Sequence, residues 1–293
     1  MDRYSKVIQE SNVPVDKDFI KKEVEKIAEN VPELHTQEVY AQVFNCIDLT
    51  TLNTTDSQAS VSGFIQRVND FDNEYPQYPN VAAVCVFSNF SGLVKSSLEV
   101  TGVKIAVVAG GFPSGQTFTE VKVADTALAV SEGADEVDVV MNLGMLLDHN
   151  YEELCDELIE VKHAAKTALL KVIIESGALK EPDKIRDASI LAMYSDADFI
   201  KTSTGKVYEG ASPEAAYVMC RCIKEYYEKT GRKVGFKAAG GVRSADEAIL
   251  YYAIVKDVLG EEWLNNSLFR IGASSLANSI LAKMLEEEQV KYF

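Results

Sequence analysis

Histidine is scarce in this chain: there are three in 293 residues, His35, His149 and His163, and none forms a pair at the end of a predicted strand. A histidine-based zinc site has nothing to assemble from, so no metal and no other cofactor is expected. The five cysteines, Cys46, Cys85, Cys155, Cys220 and Cys222, are odd in number, dispersed and without a C-x-x-C pair. That pattern argues against a disulfide framework or a zinc knuckle and fits a reducing cytoplasm. No apolar run reaches the roughly eighteen residues that a membrane span requires. The start, Met1-Asp2-Arg3-Tyr4-Ser5-Lys6, leads into polar helical sequence with no apolar export segment. Positive charge is in deficit, with 29 Lys and Arg against 45 Asp and Glu and a formal charge of −16. A nucleic acid would be repelled over most of such a surface, so any anionic ligand must be small and held locally.

What the chain does have is a repeat of strand-like runs. Eight occur, Val43–Thr50, Val81–Phe87, Lys104–Gly110, Glu136–Asn142, Leu169–Ser176, Phe199–Gly205, Val234–Gly241 and Leu268–Ser275, with helical stretches between them. The intervening segments include Glu120–Glu132, apolar at Val121, Ala124 and Leu128, and Tyr151–Thr167; Ser212-Pro213-Glu214 reads as a helix start with proline first. Eight βα units in sequence predict an α/β chain folded as a single (β/α)8 TIM barrel rather than an open doubly wound sheet. Residues 1–40 read as a helical extension of one or two polar helices, broken at Asn12-Val13-Pro14. They would cap the barrel bottom or mediate association, leaving a homo-oligomer open. Residues 41–293 form the predicted barrel.

Two lysines stand inside apolar strand frames, at Phe199-Ile200-Lys201-Thr202-Ser203 and Val234-Gly235-Phe236-Lys237-Ala238, 36 positions apart. That spacing is one strand, one helix and two loops, which makes the strands neighbours in a parallel array with both amines at one height. Burying an ammonium is costly, so a chain that does it twice is expected to use the amines for chemistry. Alternation along each strand then predicts the lumen. Lys201 and Lys237 point inward, as do Glu136 and Asp138, with Asp48 and Thr50 on one face of the first strand. Lys171 and Glu175 fall together on the fifth strand and read as a structural ion pair. Two adjacent cations lower each other's affinity for protons, which would give an amine nucleophile a usable unprotonated fraction.

Glycine turns follow the last three strands, at Thr204-Gly205-Lys206, Gly240-Gly241-Val242-Arg243 and Gly272-Ala273-Ser274-Ser275. Each offers backbone N–H groups unobstructed by side chains, and Ser274 and Ser275 would open the final helix. Converging on one rim with Lys206 and Arg243, they predict a phosphate site. On these residues alone, two other readings stay open: a Schiff-base barrel enzyme for a different sugar phosphate, and a noncatalytic phosphosugar-binding protein.

The segments Asp48-Leu49-Thr50-Thr51-Leu52-Asn53, Gly133–Val140, Leu170–Glu175, Phe199–Lys206, Gly235–Arg243 and Gly272–Leu276 closely resemble the deoxyribose-phosphate aldolase family of class I aldolases, in family order over about residues 43 to 285. The chain departs from the family pattern at Ala238, where a proline is common. The resemblance implies reversible cleavage of 2-deoxy-D-ribose 5-phosphate into D-glyceraldehyde 3-phosphate and acetaldehyde, in deoxyribonucleoside catabolism and with no cofactor. It also implies that Lys201 forms the Schiff base, that Asp138 is the acid/base carboxylate, and that Lys237 tunes the nucleophile and relays protons. Asp48, Thr50, Thr204, Gly205, Lys206, Gly240, Gly241, Arg243, Gly272, Ser274 and Ser275 are then expected to bind the phosphosugar.

Overall fold

The computed structural model describes residues 2–293. Its eight strands are β1 (Ile47–Thr50), β2 (Ala83–Phe87), β3 (Lys104–Ala109), β4 (Glu136–Val140), β5 (Leu169–Ile173), β6 (Phe199–Lys201), β7 (Gly235–Ala239) and β8 (Phe269–Ala273). Each pairs in parallel with the next, and β8 pairs with β1, closing the barrel. The strands are buried on both faces, as parallel strands between a lumen and a helical ring must be, so they read as near-continuous apolar runs.

All eight strands are shorter than their sequence runs, and at two of them other hydrogen bonds visibly claim the end. Val43–Asn45 is helical: Thr36 caps a helix at Gln37–Asn45 by accepting from the Val39 N–H, and Val39, Tyr40, Val43 and Phe44 are its buried face. The predicted boundary at 40/41 falls inside this helix. In the sixth run it is the C-terminal end that is lost: β6 stops at Lys201, and Thr204 turns to donate both its N–H and its hydroxyl to Glu175.

Of the two preceding helices, Arg3–Gln9 and Lys17–Ala28, the second buries Ile20, Val24 and Ile27, at helical spacing on one face. It rests on the outer helices Pro213–Thr230 and Ala245–Leu259. The next helix, Gln37–Asn45, packs on Leu276–Leu285 and Ala245–Leu259, and its last residue, Asn45, donates to the Asn80 carbonyl and accepts from Asn266.

The helix Thr119–Ser131 is inverted relative to its sequence pattern. Its predicted apolar face, Val121, Ala124 and Leu128, is exposed, Leu128 by 65%, while Lys122, Thr126 and Ala129 are buried. The reason is a buried ion pair. Lys122 donates to Glu157 at 2.6 Å and Glu157 also accepts from Thr119, which turns the polar edge inward.

Candidate active site

Alternation along the strands sends one set of side chains into the lumen, and that set divides into two arcs. From β4 through β8 to β1 the arc is charged: Glu136, Asp138, Lys171, Lys201, Lys237, Arg270 and Asp48. On β2 and β3 it is uncharged, with Ala83, Cys85, Ala106 and Val108 packed beside Leu52, Phe87 and Phe112. Phe87 and Phe112 meet edge to face with ring centres 6.4 Å apart.

Asp138 is the hub of the charged arc. Its Oδ2 accepts from both Lys201 Nζ and Lys237 Nζ at 2.8 Å, and its Oδ1 accepts from Lys171 Nζ at 3.2 Å. Lys237 has a second carboxylate, Asp48, at 2.5 Å. Lys171 has Asp48 at 3.4 Å and a very close contact with Glu136 in addition to Asp138. Lys201 has Asp138 alone.

These differences decide which amine gives up its proton most readily. Burial disfavours the ammonium on Lys237, but Asp138 and Asp48 together outweigh it and raise its pKa above the usual lysine range. Lys171 is raised in the same way, with Asp138, Asp48 and Glu136 overcoming burial. For Lys201, burial comes first, Asp138 opposes it and Lys237 adds repulsion, so its pKa is lowered. The expected mutual lowering of two lysines therefore falls on one of them. Burial pushes Asp138 up, yet Lys171, Lys201 and Lys237 together hold it well below the ordinary carboxylate range.

Lys201, 3% exposed, and Lys237 form the floor of a cleft of 280 Å³ at the C-terminal ends of the strands. Thr50, Thr204, Gly205, Lys206, Gly240, Gly241, Arg243, Gly272, Ser274 and Ser275 line it, which brings together all but one of the predicted substrate contacts. The exception is Asp48. It is fully buried beneath the cleft and held by Lys237, Arg270 and Lys171, so its place is in the ion network.

Glycine is required at the rim by backbone contact. Gly205, Gly240 and Gly241 adopt φ of 72°, 86° and 84°, and a Cβ on Gly240 would lie 2.9 Å from Gly210 Cα and 3.1 Å from Gly205 Cα. Two loops thus pack main chain on main chain, and Ala211 N–H ties them by donating to the carbonyls of Ala239 and Gly240. Lys206 spans the opening, donating its ammonium to the Leu52 carbonyl. Ser275 is the N-cap of the helix Leu276–Leu285 and makes no side-chain cap bond, leaving first-turn N–H groups free for an anion.

The expected Lys171–Glu175 ion pair does not form. Glu175 lies beyond the end of β5 with φ 49° and accepts from Thr204, while Lys171 turns to Glu136, Asp138 and Asp48. Sequence reading also passed over Arg270, which donates to Asp48 at 2.6 Å and to Glu136 at 2.7 and 3.0 Å. The signal was available: Phe269-Arg270-Ile271 is a charged residue inside an apolar strand, the same feature that marks Lys201 and Lys237.

The profile of a DeoC/LacD family aldolase matches residues 42–279. The chain belongs to the DeoC/LacD aldolase family. It is accordingly an aldolase, a carbon–carbon lyase. Among its relatives, the deoxyribose-phosphate aldolase of Homo sapiens is 38% identical over 244 residues, covering 80% of this chain and 77% of that protein. The Mus musculus enzyme of the same name is 39% identical over 249 residues with the same coverage. Of solved structures, one described as QR15, an aldolase, superposes with a TM-score of 0.67 at 28% identity, over 84% of this chain and 99% of that one. A tetrameric deoxyribose phosphate aldolase from Aeropyrum pernix gives 0.66 at 24% identity, over 87% and 96%, and shares the fold.

Proposed function

We propose that this aldolase reversibly cleaves 2-deoxy-D-ribose 5-phosphate to D-glyceraldehyde 3-phosphate and acetaldehyde through a Schiff base on Lys201, with a place in deoxyribonucleoside breakdown in the cytoplasm. The observation that carries the reading is the inequality among the buried lysines. Of the three lumen lysines, Lys201 is the one paired with a single carboxylate and with a lowered pKa, and it lines the cleft. An ordinary lysine, with a pKa of about 10.4, is almost all ammonium at neutral pH and cannot attack a carbonyl.

In this reading the Lys201 amine attacks C1 of the open-chain sugar and water leaves, giving an iminium that acts as an electron sink. The C3 hydroxyl loses its proton to the network of Asp138 and Lys237, directly or through water, as the C2–C3 bond breaks. Glyceraldehyde 3-phosphate departs, and the two-carbon enamine on Lys201 is protonated and hydrolysed to acetaldehyde. The donor fragment carries no hydroxyl, which suits the uncharged arc of Cys85, Phe87 and Val108. The phosphate fits the rim of Gly205, Gly240, Gly241 and Ser275, with Lys206 and Arg243 as charge partners. Binding energy gathered there, remote from the reacting bond, holds the sugar in register.

Turnover of 2-deoxy-D-ribose 5-phosphate tests the substrate, with ribose 5-phosphate as the control. Cleavage of the deoxy sugar with little or none of the hydroxylated one is the expected result. Equal use of both, or of neither, sinks the assignment.

A further inference from the structure

Counted together, the charged side chains of the lumen do not balance. Four cations, Lys171, Lys201, Lys237 and Arg270, share three carboxylates, Asp48, Glu136 and Asp138, all of them buried. A net charge is costly to hold in a dry interior, so the cluster favours shedding one proton. Arg270 cannot shed it, because a guanidinium stays protonated in proteins. It is also the most firmly fixed of the four: it forks onto Glu136, donates to Asp48, and gives its Nε–H to the Asn266 carbonyl. Phe199 lies beside it, with the guanidinium carbon 5.7 Å from the ring centre.

We propose that Arg270 is a positioning residue that fixes which lysine is the nucleophile: it draws on Asp48 and Glu136 at the floor of the lumen, and the cation left in excess is Lys201. This rests on the Schiff-base reading above, and it assigns a role to a side chain that lines no part of the cleft. Lys201, Lys237 and Arg270 are register neighbours across β6, β7 and β8, so the three cations stand in one row. The carboxylates favour the far end of that row. Asp48 joins Arg270 to Lys237, Glu136 joins Arg270 to Lys171, and Lys201 receives a share of Asp138 only. The other titratable group beside Lys201 is the Cys85 thiol on β2, which burial keeps protonated by pushing its pKa up. Removing the Arg270 charge would leave three cations for three carboxylates, and the Lys201 ammonium would then be favoured.

Charge counting makes opposite demands of two variants, which a merely structural role does not. The readout is the pH dependence of reductive methylation at Lys201 with formaldehyde and cyanoborohydride, mapped by peptide mass, with exposed Lys6 as the internal reference. In the parent protein the rate at Lys201 should persist to lower pH than the rate at Lys6; coincident profiles overturn the proposal. In Arg270→Gln the acid limb should move up by about one pH unit or more, and in Glu136→Gln, which removes an anion, it should move down. Arg270→Lys, which keeps the charge, should restore the parent profile. Limbs that stay put, or move the same way in both glutamine variants, overturn it. If one variant fails to fold, the direction in the other decides. Because formaldehyde labels any free amine, this result is independent of substrate, whereas failure of acetaldehyde to form an imine would count against the Schiff-base reading alone.

Discussion

The two arcs of the lumen are built from strands of the same barrel, yet they solve opposite problems. The arc from β4 round to β1 concentrates seven ionisable side chains beneath the cleft, each held by partners of opposite sign. The arc on β2 and β3 holds small apolar residues with two aromatic rings at its mouth. Charge in a dry cavity is stable only when paired, so the first arc is rigid in composition. Apolar surface makes no such demand, and the second arc is free to define shape. In the proposed reading the chemistry belongs to the charged arc and the donor fragment to the uncharged one, which meets the cleft at Leu52.

Substitutions in each region should break this division in different ways. The largest effect is expected from Lys201→Ala, which should reduce cleavage to background, a loss of about 10⁴-fold or more, with the barrel intact. Lys237→Ala should keep some sugar binding while losing most turnover. Next comes Asp138→Asn. An amide of the same shape accepts hydrogen bonds but takes up no proton, so turnover should fall by about 10²- to 10⁴-fold. Asp138 also holds three lysines, so thermal stability should drop as well; a destabilised but nearly fully active enzyme would show that the carboxylate only neutralises charge.

At the rim, Gly241→Ala, where an added Cβ meets no neighbouring atom, should raise KM for the phosphorylated sugar by about ten- to a hundredfold, the weight of one or two hydrogen bonds to a charged group. Labelling by acetaldehyde, which needs only the lysine, should be largely kept. Equal loss of both would mean general misfolding. The smallest effect is expected on the uncharged arc. Val108→Thr keeps the volume but buries a hydroxyl among apolar neighbours, so stability should fall by about 1–3 kcal/mol with Lys201 labelling retained. Thermal melting and labelling of the one variant separate the two arcs.

The order of the strands and the inward direction of Lys201, Lys237 and Asp138 were legible in the sequence, because period-two alternation fixes faces and charged residues inside apolar strands stand out. Partner choice was not. Lys171 and Glu175 share a strand face in sequence, but the turn at Glu175 and the closure of β8 on β1 bring Lys171 to carboxylates from other strands. The Thr119–Ser131 helix misled for a related reason: the buried Lys122–Glu157 pair, distant in sequence, outweighs its local apolar stripe. Residues on the rim were found because glycine signals a backbone need. Asp48 was placed on the correct face, but only the assembled network shows it below the cleft.

Borohydride reduction in the presence of acetaldehyde, followed by peptide mass mapping, tests the central claim most directly. The account predicts a single ethyl-modified residue, Lys201, with labelling lost in Lys201→Ala. Label on Lys237 would reverse the assignment of the nucleophile, and absence of any label would contradict a Schiff base at this site.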